Sequence, residues 1–235
     1  MLTSKYPIGT IGVMAGLPSN LWEFTWSLAE CVSYTGQYLC GPEQYVHLVN
    51  TPHSFHSDAR NALVKQTLGN WLLQLDTDHA FDPDLVCRLH NASIVYQAPV
   101  IAGMYLMKKP PYGPVLWHVD DNGDKHQLAD WDEKEMLEIG AAGAGCLFVQ
   151  RWVYDRIREE LGEEPFSTSE FPGLVGEDFA FFRRLKKLGI RACVAPWIEC
   201  YHLEVRRLKA NEHYERASVR SKAVAVQRAL PVGAA

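Results

Sequence analysis

The sequence predicts an α/β domain built on a mostly parallel central sheet flanked by helices. Three observations carry this. Short apolar, β-branched runs of strand length recur through the first hundred residues. Stretches with apolar residues at helical spacing lie between them, bounded by capping and turn residues. A β-α-β-α order of this kind needs crossover helices, and so sets neighbouring strands parallel. The chain has 235 residues, 47% apolar and 22% charged, enough to bury an ordinary core.

Residues 8–14 are apolar and end at Ala15-Gly16, which reads as a first buried strand. Ser19 or Asn20 can cap a helix with Leu21, Phe24, Leu28 and Val32 on one face. Residues 45–49 read as a second strand. Ser57-Asp58 can start a helix reaching Leu68, with Ala62, Leu63, Gln66 and Thr67 as its apolar face. Residues 71–75 form a third strand. Asp82 as N-cap and Pro83 at the first helical position mark the next helix start, and residues 99–103 form a fourth strand. Prolines and glycines over 109–131, with an Asp-Asp-Asn-Gly-Asp stretch at 120–124, predict a hairpin or an irregular excursion. A buried strand at 144–150 and a helix at 152–161 follow. A helix over 177–188 with Gly189 as its stop, a late strand at 191–195 and a basic, Ala-rich helix complete the order. The expected organisation is one domain over 1–205 and a C-terminal basic helix or tail over 206–235.

The formal net charge is -5, which argues against nonspecific duplex-DNA binding, where affinity comes from neutralising phosphates. Positive charge is concentrated late: Arg206, Arg207, Lys209, Arg216, Arg220, Lys222 and Arg228 stand against Glu212 and Glu215. One solvated helix face accounts for this, as does a patch for an anionic acceptor or a membrane surface. The cysteines Cys31, Cys40, Cys87, Cys146, Cys193 and Cys200 form no C-x-x-C pair and read as buried free thiols of a reducing compartment. The first residues lack a signal peptide's basic start and long apolar core. No apolar run reaches the roughly 18 residues of a membrane span. A cytoplasmic protein without a transmembrane segment is expected.

Asp76-Thr77-Asp78 follows directly on the third strand. In an open α/β sheet, ligands bind outside the carboxyl ends of strands. Two carboxylates there repel each other unless a cation lies between them, and hard oxygen ligands suit Mg²⁺ or Mn²⁺. An acidic turn continued by Asp82 and Asp84 is the plainer reading. Gly176-Glu177-Asp178 opens a helix, where the dipole favours acids; capping explains one acid well and two less well, and a carboxylate there can serve as a general base. His202 sits late in the chain, and with Asp76 and Asp78 it makes a plausible Mn²⁺ set, because imidazole suits borderline transition ions better than it suits Mg²⁺. His79 adjoins the Asp pair as a weaker ligand candidate. The planar fork of Arg60, beside Asn61, can pair with a phosphate or nucleotide group, or Arg60 is a surface arginine.

Taken in order, Ala59-Arg60-Asn61, the strand with Asp76-Thr77-Asp78, Ala142-Gly143-Ala144-Gly145, Gly176-Glu177-Asp178 and His202 resemble the GT-A glycosyltransferases, especially their family 2-like bacterial and phage members. The likeness runs from about residue 8 to residue 202. It implies a single GT-A domain that moves one sugar from a nucleotide-diphosphate sugar, UDP- or GDP-linked, to an acceptor hydroxyl with inversion. It implies donor or nucleotide contacts at Ala15, Arg60, Asn61, Asp76, Thr77, Gly143 and Gly145. Asp76, Asp78 and His202 would hold a divalent cation, Mn²⁺ before Mg²⁺, and Asp178, with Glu177 beside it, would be the base. The acceptor class stays open among a glycan, a lipid-linked sugar, a protein and a modified nucleic-acid base. Two departures stand out: the Q-x-x-R-W motif of processive synthases is missing, and Met14-Ala15-Gly16-Leu17-Pro18 replaces a Thr-Tyr-Asn-like stretch. A nucleotidyltransferase making nucleotide sugars and a non-catalytic sugar or nucleotide binder are the competing readings. The first is disfavoured by the lack of a basic residue in Gly16-Leu17-Pro18-Ser19-Asn20.

Overall fold

A computed structural model describes residues 6–14, 21–51, 55–120, 124–169 and 176–204. In chain order the elements are β1 (Tyr6–Met14), α1 (Trp22–Tyr38), β2 (Gln44–Thr51), α2 (His56–Lys65), β3 (Trp71–Asp76), β4 (His79–Phe81), α3 (Leu85–Val95), β5 (Val100–Met104), β6 (Leu116–Val119), β7 (Lys125–Gln127), β8 (Leu137–Glu138), β9 (Ala141–Ala142), β10 (Cys146–Gln150), α4 (Arg151–Leu161), α5 (Glu177–Lys187) and β11 (Ala192–His202). Contacts divide the chain into Met1–Leu203 and Glu204–Ala235. The expected basic helix falls in the second unit and lies outside the described residues, as does Ala15.

The large sheet has the order β2-β1-β3-β10-β5-β11-β4, with β8 paired to β11. β2 and β3 flank β1 in parallel, and β11 runs parallel to β5. β10 enters antiparallel between β3 and β5. Five strands therefore point one way and β10, β4 and β8 the other. The reversal of β10 follows from the excursion before it. The chain leaves β5 at its carboxyl end, builds the small sheet β7-β6-β9, and can rejoin beside β5 only by running backward. The predicted hairpin is the β6–β7 pair.

Alternation along β3 sends Leu72 and Gln74 to one face and Trp71, Leu73 and Leu75 to the other, all buried. On the first face α2, α4 and α5 contribute Leu63, Tyr154 and Phe181. On the second, α1 and α3 contribute Phe24, Cys31 and Leu89. The result is a sheet between two helical layers.

Three local expectations are corrected. α3 starts at Leu85, not at Pro83, with Asp84 as its N-cap residue; the Asp82 and Asp84 side chains lie 3.5 and 3.7 Å from Arg88 and make no capping hydrogen bond. α2 buries Ala59, Arg60, Asn61, Leu63 and Val64; hydropathy excludes Arg60 and Asn61 from an inner face, yet both find partners there. β11 passes Pro196 and continues to His202, because its second half pairs with β4. Gly189 does stop α5, at φ +63, the left-handed region that suits glycine. All six cysteines are free thiols, four of them buried.

Candidate metal centre at the carboxyl edge of the sheet

The chain steps from β1 outward to β2 and then returns past β1 to β3, so the strand order reverses between β1 and β3. Such a switch point opens a crevice at the carboxyl ends of the strands. Met14 and Asp76 end the two strands and are paired in register. Asp78 follows two residues later, in the turn into β4.

β4 and β11 form an antiparallel pair in which His79 lies directly opposite His202. Directly opposed side chains share a face, and the two imidazoles stack at 4.5 Å with 20° between planes. Tyr105 meets both rings edge-on, at 4.6 and 5.4 Å. Asp78 closes the group: its Oδ1 lies 3.1 Å from His79 Nδ1 and its Oδ2 lies 3.6 Å from His202 Nε2. One ligand atom from each of Asp78, His79 and His202 falls within 4.8 Å of the others.

The donor chemistry of this group fits a cation. His79 is 1% exposed; its Nδ1 and Asp78 Oδ1 have only each other, in ion-pair contact without hydrogen-bond geometry, and its Nε2 has no partner among the described residues. Buried polar atoms left unpaired are costly. His202 Nδ1 lies 2.8 Å from the Leu106 carbonyl. A hydrogen on Nδ1 donates to that oxygen and leaves the Nε2 lone pair facing Asp78, the arrangement that orients metal-ligating histidines. Burial alone pushes the Asp78 carboxyl up, but His202, His79 and Lys108 outweigh it and hold the group well below the usual carboxylate range. The Lys108 ammonium donates to Asp78 Oδ2 at 2.5 Å.

Asp76 stands apart from this trio. Its backbone N–H donates to the Gly145 carbonyl (2.9 Å), and its carboxylate takes Arg60 at 3.3 Å. The three-residue ligand group therefore contains His79 where Asp76 was expected. Arg60 is also placed otherwise than expected. Its side chain is 4% exposed, and its guanidinium donates inward to Glu177 (3.1 Å), Gln74 Oε1 (3.3 Å), the Ala144 carbonyl (2.9 Å) and Asp76. Its fork is occupied by the protein, so it positions the Asp76 and Glu177 carboxylates instead of reaching a phosphate. Gln74 in turn donates to the Tyr154 hydroxyl. Asn61 accepts from Phe166 N–H at 3.0 Å, and buried Arg184 holds the same stretch through Glu163 and Ser167. Asn61 thus anchors a loop. Thr77 is buried in the turn between the two aspartates.

The chain matches no family model and no curated protein. Several hundred chains of solved structures are similar. One of them is the crystal structure of A197 from STIV, 14% identical, with 87% of this chain and 98% of that one covered and a TM-score of 0.48.

The two candidate glycines sit against the same group. A Cβ on Gly145 would lie 2.7 Å from His79 Cε1 and 3.1 Å from both Asp76 Oδ2 and the Tyr105 hydroxyl. One on Gly143 would lie 2.2 Å from that hydroxyl. Gly145 N–H donates to it at 3.1 Å, and burial keeps the Tyr105 phenol protonated well above its ordinary range. The His79 ring is wedged between Tyr105 and His202 and has nowhere to retreat. Gly145→Ala is therefore expected to destabilise the protein by about 1–3 kcal/mol, the usual range for overpacking. Urea unfolding checks this, and an unchanged midpoint would show that the His79 ring moves freely.

At the start of α5, Glu177 faces Arg60 and lies 3.7 Å from His56 Nδ1. Asp178 accepts from Phe179 N–H at 2.7 Å. Burial, with the neighbouring Glu177 charge, pushes the Asp178 carboxyl up. Lys125 of β7 lies 3.3 Å over the Phe179 ring, which sets the β6–β7 hairpin beside this carboxylate. The chain of contacts Glu177–Arg60–Asp76–Gly145–His79 joins the helix start to the histidine pair.

Sequence reasoning missed Lys108, Tyr105 and Gln74, and ranked His79 below Asp76. The signal for His79 was its place in an apolar triplet after Asp78, but β4 is too short to read as a strand. Lys108 left only a Lys-Lys-Pro-Pro stretch to notice. A cleft of about 500 Å³ lined by Gly69, Trp71, His90 and Phe148 lies at the amino end of β3 and includes none of these carboxylates.

Proposed function

We propose that this chain is a metal-dependent glycosyltransferase of the GT-A type, moving one sugar from a nucleotide-diphosphate sugar to an acceptor hydroxyl. The observation that carries the reading is buried His79, its Nε2 without a partner among the described residues, grouped with Asp78 and His202 where β4 meets β11, with a separate half-buried carboxylate, Asp178, beyond Arg60. Asp78, His79 and His202 would hold the cation. A divalent ion so held supplies Lewis-acid neutralisation of the charge that develops on a nucleoside-diphosphate leaving group. Two imidazoles with one carboxylate favour Mn²⁺ over Mg²⁺. Asp76, a third exposed at the end of β3, would take the ribose hydroxyls. Gly143 and Gly145 leave the room that the Tyr105 hydroxyl and the His79 ring fill beside the cation site. Asp178 takes the proton of the acceptor hydroxyl, and a single attack inverts the anomeric centre.

Among the described residues no helix is long and apolar enough to cross a membrane. The six free thiols support placing the reaction in the cytoplasm.

The test is product analysis with a panel of UDP- and GDP-sugars. Release of nucleoside diphosphate is expected with Mn²⁺, at a higher rate than with Mg²⁺, and is lost with EDTA. A specific donor should also raise apparent thermal stability by mass action. Pyrophosphate as the product would indicate nucleotidyl transfer instead. Donor binding without turnover across acceptors of each class would indicate a binding protein.

A further inference from the structure

Lys108 is a cation already seated on the carboxylate that the metal site needs. Its ammonium lies 2.5 Å from Asp78 Oδ2, and Asp78 is its one partner among the described residues. The side chain is 32% exposed, so its four-carbon stem has room to swing. The backbone that carries it is held: Leu106 bridges Pro114, and Met107 N–H donates to the Gly113 carbonyl at 2.9 Å. The same segment orients His202 through the Leu106 carbonyl.

An ammonium at hydrogen-bond distance from Asp78 Oδ2 and a divalent ion bound by the same carboxylate would repel strongly at that separation. Only one of them can hold Asp78 closely. The surrounding charge makes the consequence definite. Asp76, Asp78 and Glu177 face Arg60 and Lys108, so this set carries one net negative charge. A divalent ion turns it to one net positive charge. Arg60 cannot supply that charge to a ligand, because its fork is buried and occupied. Lys108 can.

We propose that Lys108 is the resident counter-ion of Asp78, that it leaves the carboxylate when a divalent cation binds there, and that the freed ammonium then binds the diphosphate of the incoming ligand. The inference rests on the metal site proposed above and adds a residue that serves both states of it. Lysine suits the task because it binds phosphate as a mobile point charge.

Two probes test it by calorimetry on the full chain: Mn²⁺ alone, and inorganic pyrophosphate added to the Mn²⁺-loaded protein. In Lys108→Met, Mn²⁺ alone should bind about tenfold more tightly, since no ammonium competes, and pyrophosphate should bind the loaded protein about tenfold more weakly, each change amounting to one interaction of about 1.4 kcal/mol. Lys108→Arg keeps the charge and should return pyrophosphate affinity toward wild type. Unchanged Mn²⁺ affinity in Lys108→Met overturns the counter-ion role. Unchanged pyrophosphate affinity overturns the transfer to the diphosphate. If wild type binds no Mn²⁺ at all, the metal site itself fails and this inference with it.

Discussion

Asp178→Asn is expected to cut sugar transfer by about 10²–10⁴-fold, the range of a positioned general base, while donor binding and fold persist. The amide keeps an oxygen that can accept from Phe179 N–H, so the first turn of α5 loses no hydrogen bond. Burial and the Glu177 charge raise the Asp178 carboxyl above its ordinary value. A carboxyl held above its unfolded value binds its proton more firmly in the folded state. Its contribution to stability is therefore present below the unfolded pKa and is lost as pH rises through the folded one. At neutral pH the ionised Asp178 is a cost, and the asparagine variant should match or exceed wild-type stability there. That advantage should vanish below the ordinary carboxyl range. The acid limb of the rate profile should lie above an ordinary carboxyl value in wild type and disappear in Asp178→Asn. Glu177→Gln, by contrast, weakens a partner of buried Arg60 and should act mainly on stability. Wild-type turnover by Asp178→Asn would remove this residue from the chemistry and return it to helix capping.

The outline of the sheet was legible because the first three crossovers follow sequence periodicity and have short connections. β1, β2 and β3 lie where apolar runs place them, and the Gly189 stop follows from backbone sterics alone. What was not legible is long-range. The direction of β10 depends on where the excursion between β5 and β10 returns the chain, which no local pattern encodes. His79 and His202 are 123 positions apart in the sequence, and only the β4–β11 register sets them face to face. The role of Arg60 was misjudged for a related reason. A charged residue on a helix reads as outward-facing, and its four inward acceptors come from β3, the turn before β10 and α5. Residue types at the site could be read from the sequence; their pairing could not.

That pairing is what Asp78→Ala tests most directly. Asp78 is the only anion among the three grouped ligands, and removing it leaves two imidazoles beside an ammonium that has lost its counter-ion. Mn²⁺ binding should fall below detection in calorimetry. The fold should survive, because the bond that ties this turn to the end of β11 runs from Leu203 N–H to the Asp78 backbone carbonyl at 2.7 Å and does not use the side chain. Asp76→Ala is the control. Asp76 lies outside the grouped ligands and binds Arg60, so its loss should lower stability by about 1–3 kcal/mol, the cost of leaving a partner of a buried charge unmatched, while Mn²⁺ affinity stays within a few-fold of wild type. The two aspartates of one Asp-Thr-Asp triplet should therefore separate cleanly, one by metal binding and the other by unfolding. Loss of Mn²⁺ binding in Asp76→Ala with retention in Asp78→Ala would move the ion onto the end of β3 and leave His79 a buried histidine without a ligand's role.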